Sequence, residues 1–261
     1  MLTVLLNSFS DTVSFLKQSW GGFMAYFLSP IIDTNTEGQW FEGNAYEKDT
    51  LYSIEEGKLP PVNYDKHSLK PHSLTHAEAP RHVDNNGASI DTFFEGSFFY
   101  GRCAVLRLRG NNFKPLGNGC FHWEVQVNEL EEALVRLFVD VTKFPNKILV
   151  TVDQYPTHKS GYHNPSYVLT LTQNAADYLI SIPQFHLYGT SWKSTDYAPG
   201  SLERPIHKTI FKKAVIFENL DLKDVPEGVY FFSAPPIRLL NASESPVCPV
   251  LYTKEELLDA F

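Results

Sequence analysis

Hydrophobic and polar residues alternate along several short stretches of the chain, and this period of two is typical of half-buried β-strands. The clearest stretch is 104–109, where A-V-L-R-L-R is followed by glycine and two asparagines that would end a strand. The segment KILVTVD at 147–153 is rich in β-branched side chains, which predicts a buried strand. We predict strands over 104–109, 122–127, 147–153, 183–191, 212–222 and 228–240, the fourth leaving into a loop.

A polar capping residue before a helix-forming segment predicts four helices. They cover 10–20, with Ser10 or Asp11 as the cap, 128–137, 172–179 and the closing segment TKEELLDAF. Asn128 is the predicted N-cap of the second helix, and Thr172 that of the third. Two stretches rich in turn-forming residues, 33–66 and 155–167, predict irregular loops, the first with short extended pieces.

Strands and helices alternate throughout, and no linker demands a second domain. We therefore expect an α/β fold, in which one or more mixed β-sheets are flanked by helices. A single domain would cover 1–261, with residues 1–26 as a helical N-terminal extension.

The composition is that of an ordinary globular protein, with 43% hydrophobic and 20% charged residues. The net charge is −8, and no basic block alternates with aromatic residues, so we expect no nucleic-acid partner. Asp11 and Lys17 interrupt the apolar run near the start, so neither a membrane span nor a signal peptide is expected. Three widely spaced cysteines suggest a reducing compartment, and we expect a cytoplasmic location.

The run HSLTHAEAPRH places three of the nine histidines and one carboxylate within eleven residues, His72 to His82. Pro80 argues against one continuous helix through this run, but an irregular or extended backbone can turn several of its side chains towards one point. Imidazoles and a carboxylate on a loop suit a catalytic Zn²⁺ or Mn²⁺ site. A pair of histidines four residues apart is also common on protein surfaces that bind no metal, and spacing alone leaves both interpretations open.

The run resembles the H-x-G-T-H-x-D-x-P-x-H motif of the cyclase family of metal-dependent hydrolases, which includes bacterial kynurenine formamidases and isatin hydrolases. The similarity continues in family order. It includes the segment HVDNNGASIDTFF, the loop GTSWKSTD, the strand with the glutamate in AVIFENL, and the ending SESPV. It covers roughly residues 27 to 252 and implies the family's fold, of the swivelling β/β/α type.

The resemblance implies a metal site formed by His72, His76, Glu78, His82, His207 and Glu218, with one or two Zn²⁺ or Mn²⁺ ions. It further implies that a metal-activated water attacks an amide carbonyl while His82 shuttles a proton to the leaving nitrogen. The expected substrate is a small arylformamide, lactam or related cyclic amide. The family is usually dimeric or larger, which implies a homodimer or a higher homo-oligomer.

Three residues depart from the family pattern: Glu78 replaces an aspartate, Leu74 a glycine, and Ser191 an aspartate. His207 and Glu218 also stand one residue closer together than in the pattern, which would change the face that His207 occupies if it lay in a strand. These departures motivate an alternative hypothesis, in which a degenerate cyclase fold serves as a metal-binding, ligand-binding or interaction module without hydrolase activity.

Three aromatic residues, Trp40, Phe41 and Trp192, stand in segments that the resemblance brings to the site. They are candidates for stacking on an aromatic substrate, although packing in the core is the commoner role of such side chains. Four further histidines, His122, His158, His163 and His186, belong to no motif and are interpreted as structural.

Overall fold

A computed structural model describes residues 25–40, 43–117, 119–138, 144–158, 161–197 and 201–259. The helix predicted at 10–20 and most of the predicted N-terminal extension lie outside these ranges. The described residues build a central sheet of nine strands. In chain order these are β1 (Tyr26–Phe27), β4 (His76–Glu78), β5 (Tyr100–Leu108), β8 (Lys147–Val152), β10 (Leu187–Thr190), β11 (Val215–Glu218), β12 (Gly228–Ser233), β13 (Glu244–Pro246) and β14 (Val250–Tyr252).

The spatial order of this sheet is β1-β14-β12-β5-β8-β10-β11-β4-β13. The four central strands β5, β8, β10 and β11 run parallel to one another, and the strands on both sides are antiparallel to their neighbours. The sheet is therefore mixed, which confirms the predicted fold class. In parallel sheets, ligands bind beyond the carboxyl ends of the strands. For the neighbouring strands β10 and β11 these ends are Thr190 and Glu218.

Two smaller sheets complete the strand content. A hairpin joins β2 (Tyr46–Tyr52) to β3 (Tyr64–Leu69), and a three-stranded sheet contains β6 (Lys114–Gly117), β7 (Cys120–Val125) and β9 (Tyr167–Leu171). The prediction of an irregular loop over 33–66 was wrong for this hairpin. Most of its side chains are exposed on both faces, so no apolar alternation marks its strands.

Four helices are described: α1 (Val127–Leu137), α2 (Gln173–Ser181), α3 (Pro205–Ile210) and α4 (Lys254–Asp259). The Thr172 hydroxyl accepts a hydrogen bond from the Ala175 amide at 3.2 Å, which confirms the predicted cap of α2. The predicted cap of α1 was wrong by two residues, because Gln126 occupies that position and Glu129 accepts its backbone hydrogen bond at 2.8 Å. The sequence did not predict α3, which begins with Pro205 directly after Arg204.

Apolar side chains cover both faces of the central sheet. Along β8, Ile148, Val150 and Val152 pack in one hydrophobic cluster with α1 and α2, whereas Leu149 packs in a second cluster on the opposite face. Parallel strands buried on both faces carry continuous apolar runs, which is why the pattern at 147–153 was recognisable. Among the described residues, no helix combines the length and the apolar character needed to cross a membrane.

Candidate metal centre

The strand β4 carries the first two residues of the cluster. His76 and Glu78 are two positions apart, so both side chains lie on the same face of the strand. Because β4 pairs antiparallel with β11, Glu218 lies directly opposite His76. The His76 Nε2 atom is 3.2 Å from Glu78 Oε1 and 3.8 Å from Glu218 Oε2. All three side chains are buried.

His72 and His82 approach this strand from two short 3₁₀ turns, Pro71–Ser73 and Pro80–His82. Each turn has proline at its first position. Proline lacks a backbone N–H, and the N–H at this position would have no acceptor within the turn. The His72 Nδ1 atom lies 3.2 Å from Glu78 Oε1 and 3.2 Å from His76 Nε2. The His82 Nε2 atom lies 3.4 Å from Glu78 Oε1. The irregular backbone expected for this run is thus present, and the side chains of its three histidines and of Glu78 converge.

His207 completes the cluster from helix α3. Its Nε2 atom is 3.2 Å from Glu78 Oε2 and 3.4 Å from Glu218 Oε1. Its other ring nitrogen, Nδ1, donates to Asp196 Oδ2 at 2.7 Å. The six residues implied by the motif resemblance therefore lie together, although the distances assign no role to any one of them.

Two further acidic residues belong to the surroundings of this cluster. Asp196 matched the family loop in the sequence, but its contact with His207 could not be inferred without α3. Glu244 on β13 places Oε1 3.6 Å from His72 Nε2, and it forms a possible ligand group with His72 and His82. Glu244 lies in the SESPV segment, but the resemblance gave it no role in the site, because β13 reaches the site only by pairing with β4.

Burial and mutual contact shift the pKa values of these groups in different directions. Burial raises the pKa of Glu78, but the neighbouring His207, His72 and His76 more than offset this and hold it well below the usual range. Burial lowers the pKa of His207, yet Asp196, Glu218 and Glu78 together raise it well above the ordinary value. For His82 burial dominates and lowers the pKa, which favours a neutral imidazole near pH 7.

The donor set fits a divalent cation. Glu78 Oε2 and His207 Nε2 are buried 3.2 Å from each other, and neither makes a well-formed hydrogen bond to a described residue. Unpaired buried polar atoms are costly, and an ion between them would satisfy both. Besides the group that contains Glu244, two groups that share Glu78 have ligand atoms close enough to hold an ion: His72, His76 and Glu78, and Glu78, His82 and His207. Imidazole and carboxylate ligands of this kind suit Zn²⁺ or Mn²⁺.

The residues that depart from the family motif create no visible defect. Leu74 has an extended backbone, with φ −120° and ψ 174°, so its side chain causes no left-handed strain. His207 lies in a helix, so the shortened spacing to Glu218 does not switch it to another strand face. Ser191 is buried, and its hydroxyl accepts a hydrogen bond from Thr151 at 3.2 Å.

A cavity of about 510 Å³ opens over the cluster, and Glu78, His82 and Glu218 contribute to its wall. Trp40 also lines this cavity, and its indole nitrogen donates to the His72 carbonyl at 3.1 Å. Trp192 does not line it, since only 2% of the residue is exposed and it packs in the hydrophobic core beside Tyr197. The prediction that Trp192 contacts substrate therefore has no support in the fold.

Phe41 lies outside the described residues. Two histidines left out of the site are held elsewhere, because His122 bonds the Thr170 hydroxyl and His163 the Tyr167 carbonyl. A larger cavity, of about 920 Å³, lies beside α1 and contains none of the six clustered residues.

The chain is similar in sequence to several bacterial enzymes. It is 31% identical over 199 residues to a kynurenine formamidase from Paracidovorax citrulli, covering 76% of this chain and 83% of that protein. It is also 31% identical over 192 residues to a kynurenine formamidase from Delftia acidovorans, covering 73% and 80% of the two chains. The chain belongs to the cyclase family of metal-dependent hydrolases. No protein-family model matches it.

This cyclase-family hydrolase shares its fold with solved structures of lower sequence identity. Isatin hydrolase A from Ralstonia solanacearum superposes with a TM-score of 0.68 at 18% identity, covering 93% of this chain and 97% of that one. A predicted metal-dependent hydrolase from Bacillus stearothermophilus superposes with a TM-score of 0.62 at 20% identity, covering 89% and 99%. At these identities the superpositions establish a common fold and leave the substrate open.

Proposed function

We propose that this cyclase-family hydrolase uses Zn²⁺ or Mn²⁺ to cleave the amide C–N bond of an arylformamide, a lactam or a related cyclic amide. The observation that carries the proposal is the convergence of four histidines and two glutamates beside one cavity, whose wall includes His72, Glu78, His82 and Glu218. The kynurenine formamidase relatives add support for an amide substrate. A cysteine nucleophile has no comparable support, since the described cysteines Cys103, Cys120 and Cys248 belong to none of the ligand groups of the cluster and do not line the cavity.

The residues of the cluster divide by position. His72, His76 and Glu78 would hold the first ion, and His207 with Glu218 would hold a second ion or complete the first site. A divalent ion supplies Lewis acidity there, lowering the pKa of water and polarising a carbonyl oxygen. Asp196 orients the His207 ring by accepting the Nδ1 proton, which leaves Nε2 directed at Glu78 and Glu218.

His82 is the proposed proton shuttle. Its side chain is 23% exposed and lines the cavity, and its Nε2 atom lies 3.4 Å from Glu78 Oε1. A neutral Nε2 in this position takes a proton from the attacking water and returns it to the leaving nitrogen, which departs as an amine. Because His82 also belongs to a possible ligand group, its role is decided by whether its removal lowers turnover or metal content.

The cavity wall beside the cluster is partly apolar, formed by Trp40, Leu69 and Pro71. The Lys193 ammonium lies 4.2 Å from the Trp40 ring centroid and fixes the indole against the wall. An aromatic ring on the substrate would stack against such a surface, and the amide would then reach the histidines. Trp40 is accordingly the proposed substrate-contacting residue.

The experiment combines metal analysis with a substrate panel. Protein purified without chelator is expected to contain Zn or Mn and to hydrolyse formanilide, N-formylkynurenine or isatin, with activity lost on chelation and regained on adding metal. The His82→Ala variant should retain metal and lose about 100- to 10,000-fold in kcat, the usual contribution of general acid–base catalysis. His67→Ala, which changes an exposed histidine of the β3 strand, is the matched control and should behave as wild type.

Two outcomes would contradict the proposal. Protein that holds no metal and gains no hydrolase activity on adding Zn²⁺ or Mn²⁺ would favour the degenerate, non-catalytic alternative. Metal binding without hydrolysis of any amide in the panel would instead favour a different substrate class. We also propose a cytoplasmic location and a homodimer or higher homo-oligomer, which fractionation and light scattering at micromolar concentration would test.

A further inference from the structure

Arg204 has an unusual backbone conformation at the entrance of the metal cavity. Its φ of 52° and ψ of 51° lie in the left-handed region, and it directly precedes Pro205. Non-glycine residues rarely occupy this region, and a residue before proline is normally held extended. Strained backbone of this kind persists where surrounding contacts enforce it, and it concentrates at functional sites. The left-handed backbone of Arg204 therefore points to a function of its side chain.

The surrounding contacts are visible on both sides of the residue. The Arg204 amide donates to the Ser201 carbonyl at 3.2 Å, and the Asp196 carboxylate accepts from the amides of Ile206 and His207. These bonds fix the chain where α3 begins and leave the guanidinium at the wall of the cavity, beside His82. The strained backbone of Arg204 thus places its cationic side chain at the wall of the cavity.

The guanidinium is only loosely engaged in that position. Its Nη1 atom lies 3.4 Å from the Ser194 hydroxyl and 3.3 Å from the Asp196 carbonyl, both long for hydrogen bonds to a charged donor. Nη2 and Nε make no hydrogen bond to the residues that the structure describes, and none of those residues offers a carboxylate within 4.0 Å of the guanidinium. A planar fork with two uncommitted donors is the arrangement that binds a carboxylate in bidentate fashion.

The other charges around the cavity leave this cation uncompensated. Glu78 and Glu218 face the histidines His76 and His207 rather than Arg204. Lys70, the second cation of the cavity wall, contacts the Asn44 carbonyl at 2.8 Å and Glu47 at 3.6 Å. Arg204 is therefore the cation of this wall that is available to a ligand anion.

We propose that Arg204 determines specificity by binding a carboxylate on the substrate, so that the enzyme prefers anionic amides to neutral ones. This inference rests on the proposed amidohydrolase function and adds a charged recognition element to it. The scissile amide would lie at the histidines, the apolar part of the substrate against Trp40, and its carboxylate at the Arg204 guanidinium.

The test compares matched substrates in variants that preserve the backbone. Asparagine and glycine tolerate the left-handed region, so Arg204→Asn and Arg204→Gly should fold with an unchanged Tm. With 2-formamidobenzoate, both are expected to raise KM about 10- to 100-fold, the usual effect of losing a charge-assisted hydrogen bond, with kcat nearly constant. With neutral formanilide, KM and kcat should stay at the wild-type values. Lys208→Gln removes a nearby cation that does not line this cavity and should not alter the substrate preference.

A binding measurement separates failure of this inference from failure of the proposed function. If wild-type protein hydrolyses neither substrate, calorimetric titration with benzoate and benzamide still reports on Arg204. Tighter binding of benzoate by the wild type, lost in Arg204→Asn, supports the carboxylate site. Equal binding of the two ligands by the wild type, or equal losses with both substrates in the variants, would overturn it and leave Arg204 a structural residue.

Discussion

The Asp196 carboxylate accepts two hydrogen bonds from His207 through the same oxygen atom, one from ring Nδ1 at 2.7 Å and one from the backbone amide at 2.9 Å. This pair fixes both the position of His207 at the start of α3 and the direction of its ring. The proton is held at Nδ1, so Nε2 faces the two glutamates of the cluster. Carboxylate partners of this kind tune the basicity of metal-binding imidazoles.

Replacing Asp196 by asparagine should therefore weaken metal binding without removing a ligand. An amide is a weaker acceptor for the Nδ1 proton, and its NH₂ group can face His207 and reverse the tautomer. We expect an affinity loss of about 10- to 100-fold, measured by competition with a chromogenic chelator. Asp91→Asn, which changes a carboxylate that accepts from the Asn241 amide, is the control and should leave metal affinity unchanged. An Asp196→Asn protein with wild-type affinity would refute the orienting role.

The side-chain length at position 78 gives a second prediction. Glu78 is buried, and its two oxygens lie 3.2 to 3.4 Å from nitrogens of His72, His76, His82 and His207. Glu78→Asp withdraws the carboxylate by about the length of one C–C bond, whereas metal–oxygen distances tolerate only about 0.2 Å. We expect metal affinity or kcat to fall at least about tenfold, the lower range for a perturbed metal site.

Metal titration and steady-state kinetics on the same preparation measure both effects of Glu78→Asp. The control is Glu124→Asp, the same shortening at an exposed position of β7. Unchanged affinity and turnover in Glu78→Asp would mean that this carboxylate is not a metal ligand.

The difference between predicted and observed elements has a physical origin in burial. The strand β8 was recognised because the sheet buries both of its faces and selects a continuous apolar run. The hairpin β2–β3 is exposed on both faces, so its sequence is free of that selection and resembles a loop. Helix α3 has only six residues including its first, Pro205, too few for a recognisable apolar period.

The residues of the site likewise divide into those that are close in sequence and those that only the fold brings together. His72, His76, Glu78 and His82 fall within eleven residues, so their proximity was visible from spacing. His207 and Glu218 were reached only through the family resemblance, because pairing of β4 with β11 and the position of α3 bring them in. Glu244 and the role of Asp196 depend on tertiary contacts alone, and no local pattern encodes them.

Asn219 gives a prediction about stability at the edge of the site. It has a positive φ of 56°, and its Nδ2 atom donates to the carbonyls of His72 and Leu74, each at 3.1 Å. Asn219→Gly keeps the left-handed backbone but removes both of these hydrogen bonds, each of which contributes about 0.5–1.5 kcal/mol, so the unfolding free energy should fall by about 1–3 kcal/mol. Denaturant unfolding measures this loss. Asn241→Gly, at an exposed asparagine with φ 59°, is the matched control and should change stability little. Equal effects in both variants would assign the loss to the backbone.

Outside the six-residue cluster, an ion pair joins helix α1 to the turn before β12. Arg136 donates to both carboxylate oxygens of Glu227, from Nε at 2.9 Å and from Nη2 at 2.6 Å. Arg136 Nη2 also donates to the Arg107 carbonyl at 2.8 Å. Both charged side chains are mostly buried. Burial raises the pKa of Glu227, but the Arg136 guanidinium more than offsets this and the pKa is lowered overall.

A carboxylate with a depressed folded-state pKa stabilises the fold fully above its unfolded pKa of about 4.3, and this stabilisation is lost as the pH falls through the folded value. Glu227→Gln should therefore lower the unfolding free energy at pH 7 by about 1–3 kcal/mol, the usual range for charge-assisted hydrogen bonds. The difference from wild type should shrink below about pH 4, where the wild-type carboxylate is protonated as well. Urea unfolding at several pH values measures it, with Glu131→Gln, an exposed change on the same helix, as the control. A difference that stays constant down to pH 3 would mean that the charge of Glu227 does not contribute.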